Sequence, residues 1–227
     1  MEHVKLQRIV LEVFGGCNYT CSMCPQSYPG RGKNFTRKMR IEDFEKILDK
    51  IVPKYGKPII NLEGSGEPTM ATDLDKFVAA VKSRDLKCFM YCNGARLNGA
   101  FMQRVIDAGI DFIRFSMIGY NQEKYKKWMN IDNFELILSN VLETKKYTAK
   151  VNSKCELSTY HLITDNNNVQ FEVKQYKKNI VNLTGSLAYI WKMHNWSGNY
   201  TNPNPRLKTN RKSCGRPFAP ELTIRAG

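Results

Sequence analysis

Segments with strand-like and helix-like patterns alternate through most of this chain, and that alternation limits the folds available to it. Short apolar runs predict six strands, at 7–14, 58–63, 86–92, 111–117, 151–160 and 186–193. Predicted helices separate these strands, which favours parallel pairing through right-handed crossovers. We therefore expect an α/β fold with at most six strand-helix units. It would form a closed or partly closed barrel, with an open doubly wound sheet as the alternative.

The first predicted helix has the clearest pattern. Its apolar positions recur at helical spacing from Ile41 to Ile51, acidic residues fill its first turn, and Pro53 is expected just beyond its end. Further helices are expected at 73–83, 97–108, 122–128 and 131–147, with a weaker one from Val169.

Composition predicts a single main core. The chain has 227 residues, 42% of them hydrophobic, and its apolar runs are shorter than the roughly 20 residues of a bilayer span. The N-terminus also lacks the apolar core of a signal peptide, so we expect a cytoplasmic protein with no membrane partner. A net charge of +14 favours anionic partners, including nucleic acid, without selecting one. Most of the basic residues are spaced singly on predicted helix faces, as on an ordinary solvated surface.

Three of the seven cysteines, Cys17, Cys21 and Cys24, are crowded into a loop that follows the first predicted strand. Three thiolates can hold three corners of a [4Fe-4S] cluster and leave one iron open. A zinc site, which normally needs four ligands, and chance crowding of buried thiols are the alternatives. Cys88 and Cys92 lie in a predicted strand about 13 Å apart, so we interpret them as small apolar core residues. Cys155 is interpreted in the same way.

The segment GGCNYTCSMC closely resembles the radical S-adenosylmethionine (SAM) signature CxxxCxΦC, with Met23 at the Φ position. The resemblance implies a partial (β/α)6 barrel in which a [4Fe-4S] cluster on Cys17, Cys21 and Cys24 binds SAM through its open iron. Reductive cleavage of SAM would then give a 5'-deoxyadenosyl radical that abstracts hydrogen from a substrate. Met23 is counted among the cofactor-binding residues on the same ground.

Three later segments strengthen the resemblance. NLEGSGEPT is similar to the GGEP motif that holds the SAM amino group, which implies Gly66 and Glu67, although Ser65 replaces the first glycine. YCNGARL is similar to the TNG segment after the third strand, and IRFSMIG to the segment after the fourth. These two matches imply that Asn93 and Ser116 also contact SAM.

Position along the predicted strands supports the same grouping. Glu67, Asn93, Ser116 and the cysteine loop all fall at or beyond the carboxyl ends of predicted strands, where α/β folds assemble their active sites. By the same argument Tyr160 or His161, at the predicted end of strand five, could face the reaction chamber. His194 and Asn195 after strand six are placed there as well.

The C-terminal region changes character. Residues 195–216 have a linker composition, and PFAPELTIRAG has the pattern of a further strand. HNWSG and the segment from Cys214 onward resemble the start of the SPASM extension, in which Cys214 would be the first ligand of an auxiliary iron-sulfur cluster. Completing that cluster would need residues beyond Gly227, and a plain turn thiol is the alternative. We therefore expect a core at 1–200, with 201–227 as a linker and the beginning of an auxiliary segment.

The resemblance implies an enzyme that acts on a C–H bond of a sugar, an aminocyclitol or a peptide. It also implies an external electron donor such as flavodoxin or ferredoxin. A radical SAM enzyme that modifies RNA is a second hypothesis, because the chain is basic. A non-enzymatic iron-sulfur or zinc protein is the third, although such a protein has no need of a site for the SAM amino group.

Overall fold

A computed structural model describes residues 6–27, 37–193 and 220–226, which build one parallel sheet of seven strands. The strands are β1 (Arg8–Leu11), β2 (Ile59–Asn61), β3 (Cys88–Cys92), β4 (Phe112–Ser116), β5 (Glu156–Ile163), β6 (Leu187–Lys192) and β7 (Glu221–Ile224). The helices are α1 (Ile41–Tyr55), α2 (Leu74–Lys82), α3 (Gly99–Asp107), α4 (Gln122–Met129), α5 (Phe134–Lys150), α6 (Val169–Tyr176) and α7 (Asn182–Thr184). A π-helical segment, Lys177–Val181, connects α6 to α7.

The sheet has the order β6-β5-β4-β3-β2-β1-β7, and its neighbouring strands are parallel. From β1 to β6 each strand is added on the same side of the one before it. A doubly wound sheet would instead reverse direction at a switch point. The end strands β6 and β7 are not neighbours in this order, so the described sheet is not closed. The expected α/β fold with a partial barrel is therefore confirmed.

The strands have two unlike faces. In β3, the buried residues Cys88, Met90 and Cys92 alternate with the partly exposed Phe89 and Tyr91. Same-handed crossovers between strands added in one direction place the helices on one side, which we call the helix face. We call the opposite side the inner face. Cys88 and Cys92 are buried as expected, whereas Cys155 is only half-buried.

Helix α1 is longer than its sequence pattern indicated. It continues to Tyr55, so Pro53 lies inside its last turn rather than beyond its end. Proline there removes only its own amide hydrogen bond, and Gly56, with φ of 74°, closes the helix by donating its N–H to the carbonyl of Val52 at 3.0 Å. The prediction that Pro53 follows the helix was therefore wrong.

Strand β5 begins and ends later than predicted, which changes the position of His161. His161 lies inside the strand on the helix face, fully buried, and does not face the inner side. The N–H of Gly119 donates to His161 Nδ1 at 3.1 Å, so Nε2 carries the proton and donates to Glu172 of α6, also at 3.1 Å. His161 thus joins β5 to α6. The expectation that it faces the reaction chamber was wrong.

The predicted final strand is present as β7, which pairs with β1 along its whole length, from Arg8 opposite Glu221 to Leu11 opposite Ile224. These residues therefore complete one edge of the core sheet. His194, Asn195 and Cys214 lie outside the described residues. None of the helices in the described ranges has the length and apolar composition of a bilayer span.

Candidate active site at the carboxyl ends of the strands

The cysteine loop leaves the carboxyl end of β1 and is fastened to the protein on both sides. On one side the carbonyl of Gly16 accepts the N–H of Glu67 at 2.7 Å. On the other side the N–H of Ser22 donates to the carbonyl of Trp128 at 2.9 Å. The hydroxyl of Ser22 donates to the carbonyl of Lys127 at 3.0 Å. The loop is therefore held between the segment after β2 and the end of α4.

Met23 and Tyr19 fix the loop to the core. Met23, the expected cofactor residue at the Φ position, is 4% exposed and belongs to the hydrophobic core. Tyr19 is also 4% exposed, and its hydroxyl accepts a hydrogen bond from Asn133 Nδ2 at 2.9 Å. Met23 therefore anchors the loop from beneath, which accounts for the apolar requirement at its position.

The three thiols lie within electrostatic range of one another. Neighbouring atoms crowd the thiol of Cys17, although the residue as a whole is exposed, and this burial raises its pKa to about 11. Burial also raises the pKa of Cys21 and of Cys24. Repulsion between thiolates adds to the increase for Cys17 and Cys21. A positively charged iron centre would reverse this balance, because a coordinated thiol is deprotonated.

The arrangement of these thiols bears on the choice between zinc and a cluster. Within residues 6–27, 37–193 and 220–226, no three His, Cys, Asp or Glu side chains converge closely enough to hold a single metal ion. A cubane cluster makes a different demand, since each thiolate binds its own iron. Three thiols on one fastened loop are the donor set of a [4Fe-4S] cluster with one open iron, whereas a structural zinc ion normally takes four ligands.

Gly66 allows the segment after β2 to approach the cysteine loop. A Cβ atom at this position would overlap the carbonyl oxygen of Phe14 and would lie 2.6 Å from that of Gly16. Only glycine fits this contact without moving backbone. The match of Gly66 to the GEP triplet thus has a steric cause, which is the close packing of the two loops.

Glu67 connects the segments that follow β2 and β3. The residue is 3% exposed, and its Oε1 accepts hydrogen bonds from the N–H and hydroxyl of Thr69 at 3.0 and 2.6 Å. Its Oε2 accepts the N–H of Asn93 at 2.7 Å. Burial raises the pKa of Glu67, while these donors lower it. A carboxylate offers about four acceptor positions, so Oε2 retains one for a further donor.

Asn93 reaches from the end of β3 to the cysteine loop. Its Nδ2 donates to Asn18 Oδ1 at 2.8 Å and lies 4.0 Å from Cys17 Sγ, while its Oδ1 accepts the N–H of Ala95 at 3.0 Å. The structure therefore brings Cys17, Glu67 and Asn93 together. Asn18 escaped the sequence reasoning, although its position next to the first cysteine marked it as a loop residue.

Ser116 occupies the same rim but stands apart from this group. It ends β4 on the inner face, opposite Tyr160 of β5 in the register of the sheet. Among the described residues, no side-chain hydrogen bond joins Ser116 to the cysteine loop. Tyr160 lies on the inner face. Of the two residues that the sequence offered at the end of β5, Tyr160 and His161, it is therefore the one on that side of the sheet.

The junction between α4 and α5 was also missed from the sequence. Asn130 ends α4 in the left-handed conformation, with φ of 55°, and its Nδ2 donates to Thr20 Oγ1 at 3.0 Å. The thiol of Cys21 lies 3.9 Å from the sulfur of Met129. An asparagine directly after a helical pattern was the available signal for this turn, but its contact with the cysteine loop depends on the tertiary fold.

Glu63 is a second carboxylate near this rim. It is partly exposed, its Oε1 accepts a hydrogen bond from Asn61 Nδ2 at 3.0 Å, and burial raises its pKa to about 7. Arg114 and Arg8 oppose that increase through their positive charges. Glu63 therefore retains a proton in the folded state at pH values where an unfolded chain has released it.

The titration of Glu63 predicts how stability changes with pH. Between about pH 4.5 and 7 the folded state binds more protons than the unfolded state, so stability falls as pH rises. We expect Glu63→Gln, which keeps the acceptor for Asn61, to be more stable than the parent protein by about 1–2 kcal/mol at pH 8 and equal to it near pH 4.5. Urea unfolding of both proteins across this range measures the difference. A difference that does not change with pH would contradict the assignment.

Comparison with known proteins places this site in a family. Residues 11–172, more than half of the chain, match the model of the radical SAM superfamily. A probable GTP 3',8-cyclase of Thermococcus kodakarensis is 29% identical over 137 residues, which cover 60% of this chain and 42% of the relative. The chain thus spans less than half the length of that relative.

Solved structures share the fold at low sequence identity. Streptococcus suis SuiB bound to the precursor peptide SuiA has a TM-score of 0.63 and 15% identity, covering 89% of this chain and 42% of SuiB. The protein anSMEcpe with bound AdoMet has a TM-score of 0.63 and 16% identity, covering 89% of this chain and 55% of that one. The family match, the cysteine loop and the shared partial barrel agree. The chain belongs to the radical SAM superfamily, whose cofactors are a [4Fe-4S] cluster and SAM.

Proposed function

We propose that this protein uses a [4Fe-4S] cluster to cleave SAM reductively and to start a radical reaction at a C–H bond of a substrate. The observation that carries the proposal is the meeting of three segments at one rim. Cys17 on the loop after β1, Glu67 after β2 and Asn93 after β3 are joined by hydrogen bonds or close polar contact. A cluster carrier without SAM chemistry would not need the second and third segments.

In this proposal the protein's own residues bind and orient. Cys17, Cys21 and Cys24 hold three irons of the cluster. When bound, the cluster and SAM supply a 5'-deoxyadenosyl radical that removes a hydrogen atom from the substrate. Glu67 offers its remaining acceptor position on Oε2 to the SAM amino group, and the backbone next to Gly66 lies against the same loop.

Asn93 and Ser116 have different parts in this arrangement. Asn93 positions the loop, because its side chain is already bonded to Asn18 and to the backbone of Ala95. Ser116 lies at the rim on the inner face, where its hydroxyl is available to SAM. An external donor such as flavodoxin or ferredoxin supplies the electron, and the basic surface of the chain suits such acidic proteins.

For the substrate we propose a sugar, an aminocyclitol or a peptide. The fold is shared with SuiB and with anSMEcpe, both of which were solved with peptides. A nucleoside triphosphate is the second candidate, since the curated relatives include probable GTP 3',8-cyclases. RNA modification is a further alternative, favoured only by the charge. We also propose residues 1–200, together with β7, as the core and Cys214 as the start of an auxiliary segment.

The proposed activity predicts that the anaerobically reconstituted protein releases 5'-deoxyadenosine and methionine from SAM when dithionite is added. Chromatography with mass detection measures both products. Release without any substrate is expected to be slow, and deuterium transfer from a labelled substrate into 5'-deoxyadenosine would identify the class attacked. Failure to release 5'-deoxyadenosine while the cluster absorbance stays intact would overturn the proposal. Iron quantitation tests the proposal that Cys214 begins an auxiliary segment, since about four irons per chain means a single cluster and no auxiliary one.

A further inference from the structure

Arg114 lies among tyrosines on the inner face of the sheet. Arg114 lies in the middle of β4, and its guanidinium carbon is 3.4 Å from the centre of the Tyr91 ring, 4.7 Å from that of Tyr160 and 5.6 Å from that of Tyr189. Tyr91 pairs with Arg114 directly across the ladder. Attraction between the cation and the ring faces holds the guanidinium in one orientation.

Within the described ranges, no carboxylate or carbonyl oxygen forms a hydrogen bond with the Nε of this guanidinium. Among the described residues Arg114 makes no salt bridge and no side-chain hydrogen bond, and its Nε is buried without an acceptor. A buried donor without an acceptor destabilises the folded protein. The rings compensate part of the charge, but ring faces do not replace oxygen acceptors for the N–H groups.

The charges nearby leave Arg114 largely uncompensated. Arg8 on the same face lies 3.9 Å from Glu221, which takes up its charge. Glu63 is within electrostatic range of Arg114, but burial raises the pKa of Glu63 to about 7 and so favours its neutral form. The inner face therefore presents a fixed positive group that a ligand anion can balance.

The depth of Arg114 relates it to the proposed SAM site. Ser116 follows Arg114 by two residues on the same face of β4, and Asn93 follows Tyr91 by two residues after β3. Two residues of a strand span about 6–7 Å. Arg114 and Tyr91 thus form a layer one step below the rim, at a distance suited to a substrate that reaches up toward SAM.

We propose that Arg114 binds an anionic oxygen group of the substrate, a carboxylate or a phosphate, and thereby fixes the substrate on the inner face. The planar fork of arginine matches either group through two parallel N–H···O bonds. This inference rests on the proposed function in one respect, which is that the substrate binds on the inner face.

The test measures anion binding by the reconstituted protein without SAM or reductant. Sodium phosphate and sodium acetate are titrated separately at constant ionic strength against chloride, with isothermal calorimetry as the readout. We expect the parent protein to bind one of the two anions in preference to chloride. The preferred anion distinguishes a phosphorylated substrate from a carboxylic one.

Two substitutions remove the charge in different ways. Arg114→Gln leaves a polar side chain, whereas Arg114→Met leaves an apolar one that can pack among the rings. Circular dichroism shows whether each variant is folded, and one folded variant is enough for the test. Either is expected to weaken anion binding about tenfold or more. The matched control is Arg104→Gln on α3, a half-exposed arginine whose loss changes net charge equally and should leave binding unchanged.

The outcomes separate this inference from the proposed function. Equal anion affinity in the parent protein and in a folded Arg114 variant would overturn it, as would equal losses in the Arg104 and Arg114 variants. Failure of the parent protein to bind either anion over chloride would overturn it as well. Release of 5'-deoxyadenosine is measured on the parent protein alone, so a failure there refutes the radical chemistry and leaves the anion site standing.

Discussion

Replacing Cys21 with alanine is expected to abolish the visible absorbance of the reconstituted protein and its release of 5'-deoxyadenosine. The same result is expected for Cys17→Ala and Cys24→Ala, because a cluster held by two thiolates of one loop lacks its third protein ligand. Changes in outer residues of metal sites already cost about 10–100-fold, so loss of a ligand should exceed that range. Absorbance spectra and iron quantitation measure the cluster, and chromatography measures the product.

Cys155→Ala is the matched control for these three variants. Cys155 is half-buried just before β5, far along the chain from the cysteine loop, so its loss should leave both iron content and product unchanged. Cys88→Ala extends the control to a buried thiol of the helix face. A full complement of iron in any variant of the triad would refute the ligand assignment.

Glu67→Gln is expected to weaken SAM binding by about tenfold or more and to destabilise the protein by about 2–3 kcal/mol. Both carboxylate oxygens accept hydrogen bonds from N–H groups, those of Thr69 and Asn93. A glutamine has one acceptor oxygen and one amide nitrogen, so its NH₂ group must face one of these donors. The buried donor that loses its partner accounts for the loss of stability. Urea unfolding and equilibrium binding of SAM measure the two effects.

Two variants show whether the effect belongs to Glu67. Thr69→Val removes only the hydroxyl donor and should cost about 1 kcal/mol, while leaving the bond from the Asn93 backbone in place. Glu63→Gln is the same chemical change four residues earlier and should stabilise the protein at pH 8. If Glu67→Gln were as stable as the parent protein and bound SAM equally well, the linking role of Glu67 would be wrong.

The fold followed from the sequence because its strands and helices carry clear periodicity. Alternating apolar residues located β3, and the apolar face from Ile41 to Ile51 located α1. The errors in the predicted secondary structure lie at the ends of helices and strands, where tertiary contacts compete with the local sequence pattern. Pro53 remains in the helix because a single missing amide is tolerated in a last turn closed by Gly56. The residues after Lys150 form a turn through Asn152, with φ of 51°, before β5 begins.

The site was predictable where its residues recur in motifs. The cysteines, Gly66, Glu67 and Asn93 were found in this way, and the structure places Cys17, Glu67 and Asn93 within one bonded group. Asn130 and Asn133 could not be found, because they reach the cysteine loop only after α4 and α5 pack beside it. His161 shows the opposite error. A histidine near a strand end suggested chemistry, but strand alternation directs it to the helix face.

The pairing of β7 with β1 also bears on how the protein assembles. Arg8 and Glu221 are opposite each other in the sheet although more than 200 residues of chain lie between them. A contact of such sequence separation forms late, because the loop that it closes is costly in entropy. During synthesis β1 therefore has one open edge until Glu221–Ile224 has emerged. The strand that leads into the cysteine loop thus gains its last neighbour only then, and stable loading of iron is expected to follow the pairing of β7 rather than precede it.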